Sequence, residues 1–225
     1  MSGIPGTIGA TPVQNVGAYG QDVSQTIARV RAYDRLARET RTFYFDSCKF
    51  GYRTSVFKAY APRLVILDVQ FQLRLGAQSM PVTHAELARE LGIEVGKRST
   101  SAKVREAVLR LRTSKGMVLD DADHDTWSAG SFFVNPTVEP RMVPQGATGW
   151  PQPDGTVKVS AAWLVDHAGI GKGFEHGGAG TSSKHALAIT KANATDIKEL
   201  ANLIRARVRV AFSIDLEPEP TFVNR

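Results

Sequence analysis

The residues of this chain that could do chemistry are few and lie far apart in sequence. In AGSFFVNP, from Ala129 to Pro136, period-2 alternation of an extended run sets Ser131, Phe133 and Asn135 on one face and Phe132 and Val134 on the other. A strand that only filled a core would more often carry Val, Ile or Leu where Ser131 and Asn135 stand. Two small polar groups there either satisfy local backbone groups at the ends of a short strand or face a ligand, and spacing alone favours the first. Taken singly, Arg53 reads as a surface ion-pair partner and Glu219 as an exposed acid after a proline. The opening run holds Gly3, Gly6, Gly9, Gly17 and Gly20 among small apolar residues, so its backbone N–H groups could approach a ligand closely. It matches neither a P-loop nor GxGxxG opening a helix. The histidines show no HExxH spacing and one cysteine completes no standard zinc pattern with them, so no metal is expected. No GxSxG elbow is present.

Positioning such residues requires a folded core, and 225 residues at 42% hydrophobic content can bury one, as a single large domain or two small ones. No apolar stretch reaches membrane-spanning length, and the N-terminus lacks the basic-then-apolar order of a secretory signal. With Cys48 unable to form an internal disulfide, these features predict a cytoplasmic protein without a membrane partner. The 28 Lys and Arg residues outnumber 22 Asp and Glu, which favours anionic partners. Because the basic residues mostly occur singly, small phosphorylated ligands fit better than nucleic acid.

Alternation predicts strands over 27–34 and 42–45. It also predicts a long strand over 65–75, with Val65, Leu67, Val69, Phe71, Leu73 and Leu75 on one face. Thr83, with Glu86 three residues on, reads as the capping box of a helix. A second helix over 101–112 carries the stripe Val104, Ala107, Val108 and Leu111. After short apolar pieces from 115 to 155, a helix over 160–168 ends at Gly169. A glycine-dense loop over 169–181 and a strand over 185–190 follow. The last helix is expected to be capped by Thr195, with an extended tail from Ile214 to Val223 broken by Pro218 and Pro220.

Four stretches taken in order, PGTIGATPVQNVGAYG (5–20), FGYRTSVFK (50–58), AGSFFVNP (129–136) and LEPEPTF (216–222), closely resemble the UDP-N-acetylenolpyruvoylglucosamine reductase family, also called UDP-N-acetylmuramate dehydrogenases. WPQPDG, SAAWL and GGAG extend the resemblance between them. It implies reduction of the enolpyruvyl ether of UDP-N-acetylglucosamine by NADPH through a tightly held FAD, to give UDP-N-acetylmuramate for bacterial cell-wall synthesis. In that chemistry a hydride reaches the terminal alkene carbon, charge builds on the adjacent carbon and its carboxylate, and an acid delivers a proton there. The resemblance assigns the proton to Ser131, and stabilisation of the enolate to Arg53 and Glu219. Glu219 would have to be protonated or hydrogen-bonded to help an anion. Gly6, Gly9, Ala10, Val13, Gln14, Gly17 and Tyr19 match the flavin-contacting segment. Asn135 and Lys115 match residues that hold the UDP-sugar, the lysine near the diphosphate. His84 stands where one branch of the family has a substrate-capping tyrosine, and Val134 where many relatives have Lys or Thr.

The implied architecture is α+β. It comprises the remainder of a two-part FAD-binding domain over 1–113, a smaller α/β substrate-binding domain over 114–213, and a strand over 214–225 returning to the first. Relatives carry a further segment before SGIPG, so the chain reads as N-terminally truncated or as begun at a mis-called start codon, and the full-length form as a monomer. A catalytically inactive UDP-sugar-binding fragment is the alternative. A nucleic-acid-binding role rests on net charge alone.

Overall fold

The computed structural model describes residues 1–190 and 193–222, an α+β chain that divides into two compact units, Met1–Arg112 and Thr113–Arg225. In the first unit a two-residue hairpin, β1 (Gly17–Ala18) and β2 (Gln21–Asp22), precedes an antiparallel sheet of β3 (Ile27–Asp34), β4 (Glu39–Tyr44) and β5 (Leu64–Phe71) in the order β4-β3-β5. The expected strand pair is present, β4 ending one residue earlier and starting three earlier. Val30 and Ala32 face inward while Arg29, Arg31 and Tyr33 face out.

The predicted face of β5 is overturned in its first half. Arg31 pairs with Asp68 but its neighbour Ala32 pairs with Ile66, so Leu67 is the extra residue of a β-bulge. Past the bulge the strand changes face. Ile66 and Leu64 pack with Val69 and Phe71 on the core, leaving Val65 46% and Leu67 50% exposed. The strand also ends at Phe71, so Leu73 and Leu75 lie outside it.

Two one-turn helices, α1 (Phe45–Cys48) and α2 (Val56–Ala59), close this core, with the Phe43 and Phe57 rings edge to face at 5.2 Å. A second cluster joins α3 (Ala85–Leu91) to α4 (Ser101–Ser114) through Val82, Leu87, Ala88, Ala107 and Val108, with Val104 and Leu111 beside them. The predicted stripe of α4 is therefore core. The cap of α3 is His84 rather than Thr83. The Thr83 hydroxyl lies instead where a Cβ on Gly20 would come within 2.3 Å of it, at a backbone φ of +80° that suits glycine.

A buried carboxylate fastens the sheet. Asp34 is fully enclosed and accepts from Arg63 Nε at 2.8 Å, Arg63 Nη2 at 2.6 Å and Arg41 Nη1 at 3.3 Å. It also accepts from the backbone N–H groups of Leu36 and Ala37 at the end of β3. The Arg63 fork holds its carboxyl well below the usual carboxylate range, outweighing the opposing effect of burial.

In the second unit β6 (Thr137–Val138), β7 (Gly149–Pro151) and β8 (Val157–Val159) form an antiparallel sheet, ordered β6-β8-β7. Then follow α5 (Ala161–His167), the sheet of β9 (Glu175–His176), β10 (Ala179–Thr181) and β11 (Ile189–Thr190) in the order β11-β10-β9, and α6 (Ala194–Phe212). The glycine-dense stretch is thus no simple loop but holds the β9–β10 hairpin. The expected strand over 185–190 is confined to its last two residues, because Ala188 N–H donates to the His185 carbonyl and closes a turn. Asn193, not Thr195, caps α6, its Oδ1 accepting from the N–H groups of Thr195 and Asp196. Leu164, Val165, Ile170, Leu200, Ile204 and Val208 build the core with Phe132, Phe133, Ile214 and Leu216. Val223, at the end of the expected tail, lies outside the described residues.

Because the folded-state pKa of Asp34 is depressed, its contribution to stability is present above the ordinary carboxylate range and is lost as pH falls below it. Asp34→Asn should lower the thermal midpoint at pH 7, and the gap to the wild type should close on acidification below pH 4; a gap that stays constant would contradict this role. Burial pushes the Cys48 thiol up to about 11, so native protein should not react with a thiol reagent at pH 7.5, whereas denatured protein should react at once.

Candidate functional site

The predicted site residues fall into two groups, one in each unit. In the first, Arg53 sits in a four-residue turn closed by Gly51 N–H donating to the Thr54 carbonyl at 3.1 Å and Thr54 N–H to the Gly51 carbonyl at 3.4 Å. Arg53 has a φ of +54°, the left-handed conformation that the third residue of a type II turn demands and that Gly or Asn usually supplies. An arginine there costs on the order of 1–2 kcal/mol. The side chain is mostly enclosed, with Nη2 donating to the Gly17 carbonyl at 2.7 Å and Nη1 3.7 Å from an Asp22 carboxylate oxygen. Its guanidinium also lies 5.1 Å from the Tyr52 ring centre.

Two further side chains, not singled out in the sequence, tie the same segments together. Asn15, buried and itself at φ +47°, donates from Nδ2 to the Gly51 carbonyl at 3.0 Å and accepts at Oδ1 from Ser24 N–H. Ser55 donates to the Val13 carbonyl at 2.6 Å while accepting from the first amides of α2. The glycine-rich opening is therefore bonded to the GYRTS turn at Val13, Asn15 and Gly17. Val13 and Gln14 are half-buried and Gly17 is buried, with a carboxylate oxygen of Asp22 where a Cβ would stand. Farther back, Gly6 (φ +120°) and Ala10 are exposed, and a Cβ on Gly6 or Gly9 would meet nothing within 4 Å. Tyr19 packs edge to face against His84, ring centres 5.1 Å apart. Burial pushes the Tyr19 phenol up, Glu86 adds to the shift and Arg112 opposes it, so it stays a neutral donor at physiological pH.

In the second unit, the segment carrying Ser131 is not the alternating strand expected: it bends at Phe132, brings the Phe132 and Phe133 rings within 5.2 Å of each other, and meets two other segments through single bridges. Phe132 N–H donates to the Leu187 carbonyl at 2.8 Å, with Ser131 opposite Ala188. To the tail, Val134 N–H donates to the Glu217 carbonyl at 3.0 Å, and Glu219 N–H to the Phe132 carbonyl at 2.8 Å, with Phe133 opposite Pro218. Ser131 and Glu219 are thereby set on adjacent extended segments. Gly130, at φ +80°, turns the chain into this segment. Ser131 is half-buried, and its hydroxyl makes no hydrogen bond among the described residues. Asn135 accepts at Oδ1 from Ala161 N–H at 2.9 Å, anchoring the start of α5. Lys115 follows α4 directly, half-buried before Gly116 at φ +65°.

The loop that meets Phe132 is itself fastened. Lys184 pairs with Asp123, and the Ser183 hydroxyl donates to Asp125. The Asp123 contact raises the Lys184 ammonium above its ordinary range and lowers the Asp123 carboxyl. Among the described residues no group of three or more His, Cys, Asp and Glu is placed to hold a metal, and no helix is long and apolar enough to cross a membrane.

A family model described as "UDP-N-acetylenolpyruvoylglucosamine reductase, C-terminal domain" matches residues 121–223. A protein named UDP-N-acetylenolpyruvoylglucosamine reductase from Thermobifida fusca is 48% identical over 243 residues, covering all of this chain and 67% of that protein. The chain belongs to the UDP-N-acetylenolpyruvoylglucosamine reductase family. A reductase of the same name from Cutibacterium acnes is 54% identical over 230 residues, again across the whole chain. The chain spans 61% of that protein's length and 66% of a Salinispora arenicola reductase. The crystal structure of UDP-N-acetylenolpyruvylglucosamine reductase (MurB) from Thermus caldophilus has a TM-score of 0.56 over 97% of this chain and 60% of its own, at 22% identity; that likeness concerns the fold. Ser131, Asn135 and Glu219 lie inside the matched reductase C-terminal domain, and Arg53 before it.

Removing the acceptor that holds α5 should cost about 1 kcal/mol. Asn135→Ala should accordingly lower the thermal midpoint by a few degrees in a denaturation scan, and an unchanged midpoint would contradict the anchoring bond.

Proposed function

We propose that this chain works as a flavin-dependent reductase, converting the enolpyruvyl ether of UDP-N-acetylglucosamine to UDP-N-acetylmuramate with FAD as resident cofactor and NADPH as reductant. The observation that carries the reading is Ser131, a hydroxyl without a hydrogen bond among the described residues, on a segment whose backbone is bonded to the tail that bears Glu219.

The glycine-rich opening suits a flavin on its own geometry. Around Gly6 and Gly9 the backbone is open, and a side chain at either would occupy that space. Gly6, Gly9, Ala10, Val13, Gln14 and Tyr19 would hold the cofactor, while Gly17, whose carbonyl accepts from Arg53, would shape the cradle from beneath. When bound, FAD supplies the two electrons of the reduction.

The protein's own part is to bind the sugar nucleotide and to manage charge and a proton. Lys115 and Asn135 would hold the UDP-sugar, the ammonium of Lys115 answering the diphosphate; the Asn135 carbonyl is committed to α5, so its amide donors would face the ligand. His84 would cap the substrate. As charge develops on the carbon next to the carboxylate, the Arg53 guanidinium stabilises it, and its strained turn has preset the geometry. Glu219 contributes as a hydrogen-bonded or protonated acid. Ser131 then gives its proton to that carbon. A serine hydroxyl is a weak acid, so the step depends on the stabilisation assigned to Arg53 and Glu219.

Purified protein incubated with FAD and freed of excess should retain a flavin spectrum that NADPH bleaches and the enolpyruvyl UDP-sugar restores. Ser131→Ala should lower turnover by about 100-fold or more, the scale of a general acid, while NADPH still bleaches the flavin at the wild-type rate. No retained flavin would leave at most a UDP-sugar-binding function, and undiminished turnover in the variant would remove Ser131 as the acid.

A further inference from the structure

Arg53 is a demanding residue to hold in place. Its φ of +54° is one that a bulky side chain rarely adopts, and such a conformation persists only where its surroundings over-determine it. The turn's own contribution is modest, since the Thr54 N–H donation to the Gly51 carbonyl is long at 3.4 Å. That same carbonyl is gripped from the other side by Asn15 Nδ2 at 3.0 Å. Asn15 is 4% exposed, and its other amide atom is fixed by Ser24 N–H at 3.0 Å. It stands two residues before Gly17, whose carbonyl receives the Arg53 guanidinium at 2.7 Å. Thus one buried amide holds the backbone of the turn, and the short segment that contains it holds the head of the arginine. Asn15 is left-handed too, a conformation that Asn tolerates better than other non-glycine residues.

We propose that Asn15 is a positioning residue for the reduction: through its bond to the Gly51 carbonyl it fixes the turn that aims the Arg53 guanidinium at the developing enolate. This rests on the reductase reading above. Arg53 is called upon only when the enolpyruvyl substrate is reduced, not when NADPH delivers its electrons, so loss of the clasp should slow one half-reaction and spare the other.

Asn15→Asp, assayed at a pH where its carboxyl is ionised, removes the donor, because aspartate tolerates the left-handed backbone and still accepts from Ser24 N–H, but as a carboxylate cannot donate to Gly51. Both half-reactions of FAD-loaded protein would be followed by stopped-flow absorbance in the wild type, Asn15→Asp, Arg53→Ala and the double variant. The expected result is a tenfold or greater loss in the rate of reoxidation by the enolpyruvyl UDP-sugar, with NADPH bleaching within twofold of wild type. In the double variant Asn15→Asp should add no further loss, since its effect passes through Arg53. Equal losses in both half-reactions, or losses that multiply in the double variant, would make Asn15 merely structural and overturn the proposal while leaving the reductase reading intact. A wild type lacking both half-reactions would overturn that reading and this proposal with it. If Asn15→Asp does not fold, Asn15→Gly, which keeps the backbone conformation, takes its place in the cycle; failure of both to fold would mark Asn15 as a folding residue and sink the proposal.

Discussion

The second unit depends on the backbone hydrogen bonds of Phe132 to Val134, which join the loop before β11 on one side and the tail after α6 on the other. They extend the hold that α6 already has on the tail through Arg205 Nε on the Leu216 carbonyl and Arg209 on Asp215, and with it keep Ile214 and Leu216 in the core. With them, both phenylalanines are buried in one core, and the bend at Phe132 brings their rings edge to face at 5.2 Å, which explains why the segment is apolar at its centre and polar only at Ser131 and Asn135. Those two residues stand at the ends of the paired stretch, where small polar groups cost least. One of them is spent on structure, anchoring α5, while the other keeps an uncommitted hydroxyl.

In the first unit the corresponding constraint is the clasp between the opening segment and the GYRTS turn. A run with five glycines in its first twenty residues has little reason to order itself, since each glycine loses more conformational entropy than any other residue. Bonds from Ser55, Asn15 and Arg53 supply that order at Val13, Gly51 and Gly17. Strain at Arg53 and Asn15 is the cost, and it falls where the proposed chemistry needs a cation held still. The Asp34 knot is of another kind, an entirely enclosed carboxylate that ties Arg63, just before β5, to the end of β3.

Much of this was legible in the sequence where local pattern and tertiary packing agree. The alternation of β3 and the stripe of α4 both appear as core faces, and the helix expected over 160–168 is present as α5. Where they disagree, the pattern misled. The run from Val65 to Leu75 alternates without a break, and nothing in it marks Leu67 as the residue a bulge would expel. Thr195 has the residue type of a cap, but Asn193 two places earlier takes the role with one oxygen on two amides. The residues of the proposed site were singled out as motifs in order, through resemblance. Asn15 and Ser55 were not, because their decisive bonds cross 36 and 42 residues to backbone atoms, and a side chain bonded to a distant carbonyl leaves no periodic trace.

The site requires that the tail be fixed along the Ser131 segment, with Glu219 held beside it. Amide hydrogen exchange of the native protein, read residue by residue, tests it without any ligand. Phe132, Val134 and Glu219 should exchange as slowly as the buried turns of α6, opening only when the second unit unfolds. Fast exchange at Glu219 while α6 stays protected would show that the tail frays, and that no fixed neighbour stands beside Ser131.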